Sequence, residues 1–111
     1  MTAVFVDTSA LVALLNADDE HHRRAARAFE RLRSQRVPLM TTSYVLVAPL
    51  MNVVWVDDSL HNAGLDILAQ RGKRPLSLVD AVSFATMRRS GVDDAFVFDQ
   101  HFDQEGFTSV P

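Results

Sequence analysis

The sequence predicts an α/β fold, a parallel sheet flanked by helices. Short β-branched, apolar runs alternate with longer segments of helical periodicity along all 111 residues. Two of those runs, Val4-Phe5-Val6 and Phe96-Val97-Phe98, are apolar at every position, as strands covered on both faces are. Each leads straight into an aspartate, Asp7 and Asp99. In an open parallel sheet the C-terminal strand ends share one edge, and ligands bind there.

The elements follow in order. Thr2–Val6 is the first strand. Asp7-Thr8-Ser9 opens a short helix through about Leu15, and Asn16–Asp19 is a polar break. Asp18 or Asp19 is placed to cap a helix from about Glu20 to Gln35, whose Ala25, Ala28, Phe29 and Leu32 keep helical spacing. Val37–Thr41 is the second strand, with Pro38 near its start where proline is tolerated. Ser43 offers a cap for a helix through Val47, and Pro49 forbids a long one. Asn52–Val56 is the third strand. Asp57-Asp58-Ser59 leads into a helix from Leu60 to about Gln70, stopped by Gly72 and Pro75. Ser77 caps a helix to Arg89, and Gly91 sits where a left-handed C-terminal residue belongs. Ala95–Phe98 is the fourth strand, and Phe107–Val110 a short fifth strand at the sheet edge.

Length and composition bound the function. One chain of 111 residues predicts one domain, residues 1–111. There is no cysteine, so disulfides and thiolate metal sites are excluded. No basic leader precedes the first apolar run, and none of the apolar stretches nears the roughly 20 residues of a membrane span. The expected location is therefore cytoplasmic, with no membrane partner. Fourteen acidic against eleven basic residues give a net charge of -3, so any nucleic acid must be held by a local basic patch or a bridging cation.

Singly, the acids have plain structural explanations. Asp7 suits a helix N-cap, Asp80 lies three residues after Ser77 near a capping-box position, Asp99 caps the turn Gln100-His101-Phe102, and Asp103 is a solvated loop residue. Together they say more. Asp7 and Asp99 stand at strand ends that become neighbours if the sheet reverses direction between the first and fourth strands, and Asp80 begins the helix leading into the fourth. Carboxylates gathered so closely repel and raise one another's pKa, and a divalent cation relieves that. Oxygen donors without cysteine or a histidine pair favour Mg²⁺ or Mn²⁺, the ions of phosphate chemistry.

Val4-Phe5-Val6-Asp7-Thr8-Ser9-Ala10, Ser77-Leu78-Val79-Asp80-Ala81 and Phe98-Asp99-Gln100-His101-Phe102 resemble the three separated acidic motifs of PIN domains, nearest to VapC-type toxins of toxin–antitoxin operons. The likeness spans almost the whole chain in the right order. It implies a PIN-like three-layer fold with strand order 3-2-1-4-5 and a Mg²⁺-dependent endoribonuclease. By that likeness Asp7, Asp80 and Asp99 are the catalytic, metal-holding acids, Thr8 or Ser9 orients them, and Asp103 is a peripheral acid. It also implies RNA as substrate, a VapB-type antitoxin and a homodimer as partners. The expected chemistry is in-line attack of a metal-activated water on phosphorus, leaving 5′-phosphate and 3′-hydroxyl ends.

One departure stands out. Such toxins carry a glutamate on the helix after the second strand. Here Thr41-Thr42-Ser43-Tyr44-Val45-Leu46-Val47 matches the start of that helix, but Ala48-Pro49 follows where the glutamate belongs. A helical hairpin is also absent, which shortens the crossover between strands two and three. The expectation is weaker metal binding and reduced cleavage. The alternative is a catalytically degenerate domain that binds an antitoxin or a second copy. A receiver-like phosphoacceptor ranks last, because it needs a lysine at the site and the only lysine is Lys73, in a loop.

The remaining features have ordinary readings. The arginines of the Glu20–Gln35 helix form a solvated face with intrahelical pairs such as Arg27 and Arg31 to neighbours on the Glu30 side, with phosphate contact as the functional alternative. His21 and His22 point to different faces. His101 reads as a turn residue close to the acids, with assistance at the site as the functional alternative. Phe29, Phe84, Phe96, Phe98 and Trp55 read as core, and Phe102 as buried beneath the Asp99 loop.

Overall fold

The computed structural model of the chain describes residues 3–43, 52–72 and 75–111. Its elements are β1 (Val4–Val6), α1 (Thr8–Leu15), α2 (His22–Ser34), β2 (Leu39–Thr42), β3 (Asn52–Val54), α3 (Asp58–Arg71), α4 (Leu78–Ser90), β4 (Asp94–Phe96), α5 (His101–Gln104) and β5 (Thr108–Val110). The strands form one sheet in the order β3-β2-β1-β4-β5, and every described pairing is parallel. The order runs outward from β1 in both directions, so the switch point lies between β1 and β4. Val4, Phe5 and Val6 pair there with Asp94, Ala95 and Phe96. The expected α/β fold class, strand order and flanking helices all appear.

Alternation along β1 builds the layers. Val4 and Val6 join Ala10, Leu11 and Ala13 of α1, Ala25, Ala28 and Leu32 of α2, and Phe96 in one core. Phe5 points the other way, into a second core with Phe84 and Met87 of α4, Phe102 of α5 and Phe107. Phe102 is fully buried, as expected, with its ring edge-on to Phe84 at 4.8 Å. α3 lies on α4 through Leu60, Val82 and Ala85. Gly64 makes that approach possible, since a Cβ there would meet the Val82 backbone N at 3.2 Å and its Cγ2 at 2.6 Å.

Local signals set most helix ends. The Asp57 side chain accepts from the Leu60 N–H and the Ser77 Oγ from the Asp80 N–H, while Gly91 closes α4 in the left-handed region at φ 65°. At α2 the structure corrects the sequence reading. The N-cap is His21, and Asp19 acts one step earlier by accepting from the His21 N–H at 2.8 Å. Glu30 pairs with Arg33 rather than with Arg27 or Arg31.

Two further readings are corrected. Trp55 is not core: it follows edge strand β3 and is 75% exposed. β4 ends at Phe96, short of Asp99. The Val97 N–H still bonds the Val110 carbonyl, but the Phe98 N–H turns to the Ser9 Oγ at 3.0 Å, which takes the chain off the sheet. The expected helix from Ser43 to Val47 and the Ala48-Pro49 departure lie outside the described residues. No described helix is long and apolar enough to cross a membrane.

Candidate active site

Asp7 ends β1 and caps α1, so the strand–helix junction itself aims its carboxylate. Oδ2 accepts from the Ser9 N–H at 3.2 Å and the Ser9 Oγ at 3.0 Å. Ser9 Oγ in turn accepts from the Phe98 N–H. One hydroxyl thus ties the first acid to the segment carrying Asp99. Thr8 is exposed and offers Asp7 its backbone N–H, so of the two candidates Ser9 is the side chain that orients Asp7. The Asp7 residue is only 3% exposed, and its Oδ1 is buried without a hydrogen-bond partner. Burial pushes its carboxyl above the ordinary value; the Ser9 bonds oppose this and the Asp80 charge adds to it.

Asp80 lies in the first turn of α4, held by Ser77. Its carboxyl is likewise raised, by burial first and then by the Asp99 charge, against the pull of Ser77 and His101. Asp99 starts the turn into α5, where its Oδ1 accepts from the His101 N–H at 2.8 Å. That same turn delivers His101, for which the sequence ranked an assisting role below a plain turn role. His101 Nδ1 lies 3.0 Å from Asp99 Oδ1 and 3.4 Å from Asp80 Oδ2, aligned for a hydrogen bond with neither. The available signal was its place two residues after Asp99, since an Asx turn folds the chain back at that spacing.

Among the described residues, Asp80, Asp99 and His101 each offer a donor atom within 4.8 Å of the others. Asp7 is outside that group, close enough for its charge and that of Asp80 to interact. Asp103 is exposed, its Oδ1 accepting from the Ser109 Oγ at 2.7 Å. The donor set fits a divalent cation. It combines two desolvated, mutually repelling carboxyls, an unpartnered buried oxygen, and a ring nitrogen facing two acids. Hard oxygens with a single imidazole suit Mg²⁺ and suit Mn²⁺ better, and they do not make a closed zinc site.

α5 is anchored from behind. Glu105 accepts from Arg71 Nε at 2.6 Å and Arg88 Nη2 at 3.0 Å, joining the ends of α3 and α4 to the end of α5, with its side chain only 3% exposed. The Arg71 hydrogen bond, aided by Arg88, lowers the Glu105 carboxyl from 4.5 to about 2. A folded value below the ordinary one means this stability is complete above about pH 4.5 and lost as pH falls through about 2. Glu105→Gln is expected to cost about 1–3 kcal/mol near neutral pH. Urea unfolding should show that difference closing on descent from pH 4.5 towards 2; a constant gap would refute the assignment.

No family model matches the chain. The chain is 31% identical to the 23S rRNA-specific endonuclease VapC20 of two Mycobacterium tuberculosis strains, over 96% of this chain and 97% of theirs. The crystal structure of Mycobacterium tuberculosis VapC20, described as a Sarcin-Ricin loop cleaving toxin, superposes with a TM-score of 0.83 and 30% identity over 96% of this chain and 97% of that one. The alignment runs over 131 positions against 111 residues here, so at least 20 positions of the relative have no counterpart in this chain. Identity of 31% over nearly the whole of both chains, with the same fold, settles the family, and the chain belongs to the VapC-type toxins of the PIN-domain ribonucleases.

Proposed function

We propose that this chain is a divalent-metal-dependent endoribonuclease with Mg²⁺ or Mn²⁺ held by Asp80, Asp99 and His101 and supported by Asp7. The observation that carries this is the convergence of those donors beside the orphaned, buried Asp7 Oδ1. A bound cation would supply charge for the scissile phosphate and lower the pKa of water. The chain's own residues supply placement. Ser77 holds the start of α4 so that Asp80 faces Asp99, and the turn at Asp99 holds His101 against both. Ser9 fixes Asp7 to the Phe98 backbone, which keeps the two sides of the switch point from separating. Such preorganisation is what a metal-assisted displacement needs from a protein.

The substrate proposed is structured RNA with an unpaired loop, and the 23S rRNA loop cut by the relative is the first to try. A VapB-type antitoxin and a second copy of the chain are the proposed partners, and the proposed location is cytoplasmic. The support for the two partners is an apolar face on α1, where Val12 is 48% and Leu15 76% exposed. The test incubates purified protein with that hairpin in Mg²⁺, in Mn²⁺ and in EDTA. Metal-dependent cleavage leaving 5′-phosphate ends is expected, and Asp99→Asn should remove it. Cleavage that persists in EDTA would refute the reading.

A second reading keeps the fold and loses the chemistry. The absent positions and Ala48-Pro49 favour it. A protein that binds antitoxin but cleaves no RNA in either metal would establish it.

A further inference from the structure

Beside the acids lies a cleft of about 220 Å³ that includes His21, Arg24, Phe98, Asp99, Gln100 and Asp103 in its lining. Its floor is an aromatic pile. The His21 ring stacks on Phe98 with centroids 4.6 Å apart and planes 11° from parallel. The Arg24 guanidinium lies over the same Phe98 ring, 5.5 Å from its centre. The His21 side chain stays 35% exposed and Arg24 is exposed. Phe98 precedes Asp99 directly, so the pile adjoins the acids.

This arrangement is more than a hydrophobic staple between α2 and the segment after β4. A staple needs one buried aromatic, whereas here a partly exposed imidazole and an exposed guanidinium both pack on the Phe98 ring, in a molecule of net charge -3. Flat π-faces with an adjacent Arg bind unpaired nucleotides, the base by stacking and the backbone by charge. Asp99 and Asp103 line the same cleft and Glu20 Oε1 lies 3.4 Å from His21 Nε2, so the attraction for a phosphate there comes from Arg24. We propose that the His21–Phe98–Arg24 cleft is a subsite for one unpaired nucleotide of single-stranded RNA next to the acids, its base stacked on His21 and its phosphate on Arg24. The proposal rests on the ribonuclease reading and deepens it, by making an unstacked nucleotide the feature that the protein selects.

The test measures binding of the full chain, with EDTA present so that no chemistry consumes the probe. The probes are a fluorescein-labelled RNA hairpin with an unpaired loop and a fully paired duplex of the same length. Fluorescence anisotropy is recorded from 50 to 200 mM salt. The hairpin should bind about tenfold more tightly than the duplex. His21→Ala should weaken hairpin binding about tenfold, the scale of one lost base stack, without changing the salt dependence. His21→Phe should keep wild-type affinity. Arg24→Ala should lower the slope of log affinity against log salt by about 1, and Arg24→Lys should restore it. Melting curves identify a variant that fails to fold, and the Phe and Lys variants then carry the test. Equal affinity for hairpin and duplex, or His21→Ala and Arg24→Ala proteins binding like wild type, overturns the subsite. The ribonuclease reading falls separately, on absence of metal-dependent cleavage.

Discussion

Asp7→Asn is expected to make the metal-free protein more stable and the enzyme inactive. Asp7 is held where a carboxylate is unwelcome: 3% exposed, with one oxygen unpartnered and the Asp80 charge nearby. Its folded carboxyl therefore lies above the ordinary value of 3.8. The sign follows from linkage. Such a group weakens the fold at neutral pH, and the penalty fades as pH falls through the raised value towards 3.8. Asparagine has the same shape, keeps an oxygen for Ser9, and removes the charge. Without metal the variant should melt about 4 °C higher at pH 7, on the scale of about 1 kcal/mol for a domain of this size. Cleavage should drop about a hundredfold or more, since a weakened metal environment costs at least that order. Wild type should gain stability on adding Mn²⁺, and the variant should gain much less. A lower melting temperature together with normal cleavage would show that Asp7 is only a helix cap.

This trade of stability for chemistry also explains what was legible in the sequence. Features governed by near neighbours were. Ser77 capping α4, Gly91 ending it, and Asp7 at the β1–α1 junction each follow from a few adjacent residues. Alternating periodicity gave the α/β class, whereas the strand order came with the family likeness. What escaped depends on distant contacts. β4 ends early because Ser9, 89 residues away in sequence, takes the Phe98 N–H. Trp55 looked like core because its run is apolar, but it follows an edge strand and is exposed. His101 read as a turn residue, and it is the first residue of α5, where the Asp99 turn ends. Its second role appears only when α4 brings Asp80 to the other side of its ring. The Glu105 clamp was invisible for the same reason, since it joins three helix ends far apart in the chain.

The second large effect is expected from restoring what the chain lacks. At least 20 aligned positions of the relative are missing here, and we propose that the gap falls after Thr41–Val47, where the family resemblance sets a glutamate against Ala48-Pro49. The described residues supply two carboxylates and one imidazole within 4.8 Å, with Asp7 behind them. A further acid would add negative charge to a site where the Asp7 and Asp80 carboxyls are already raised, so it would disfavour the metal-free form and favour the loaded one. Inserting a helical hairpin that carries a glutamate, between Val47 and Asn52, should therefore tighten Mn²⁺ binding by about 10–100-fold and raise cleavage in parallel. An insert of the same length with glutamine in that place separates the acid from the packing it brings. If the glutamine version matches the glutamate version, the gap matters for support and not for charge. If neither exceeds the natural chain, His101 with Asp80 and Asp99 already makes a sufficient site, and the shortened crossover costs the enzyme nothing.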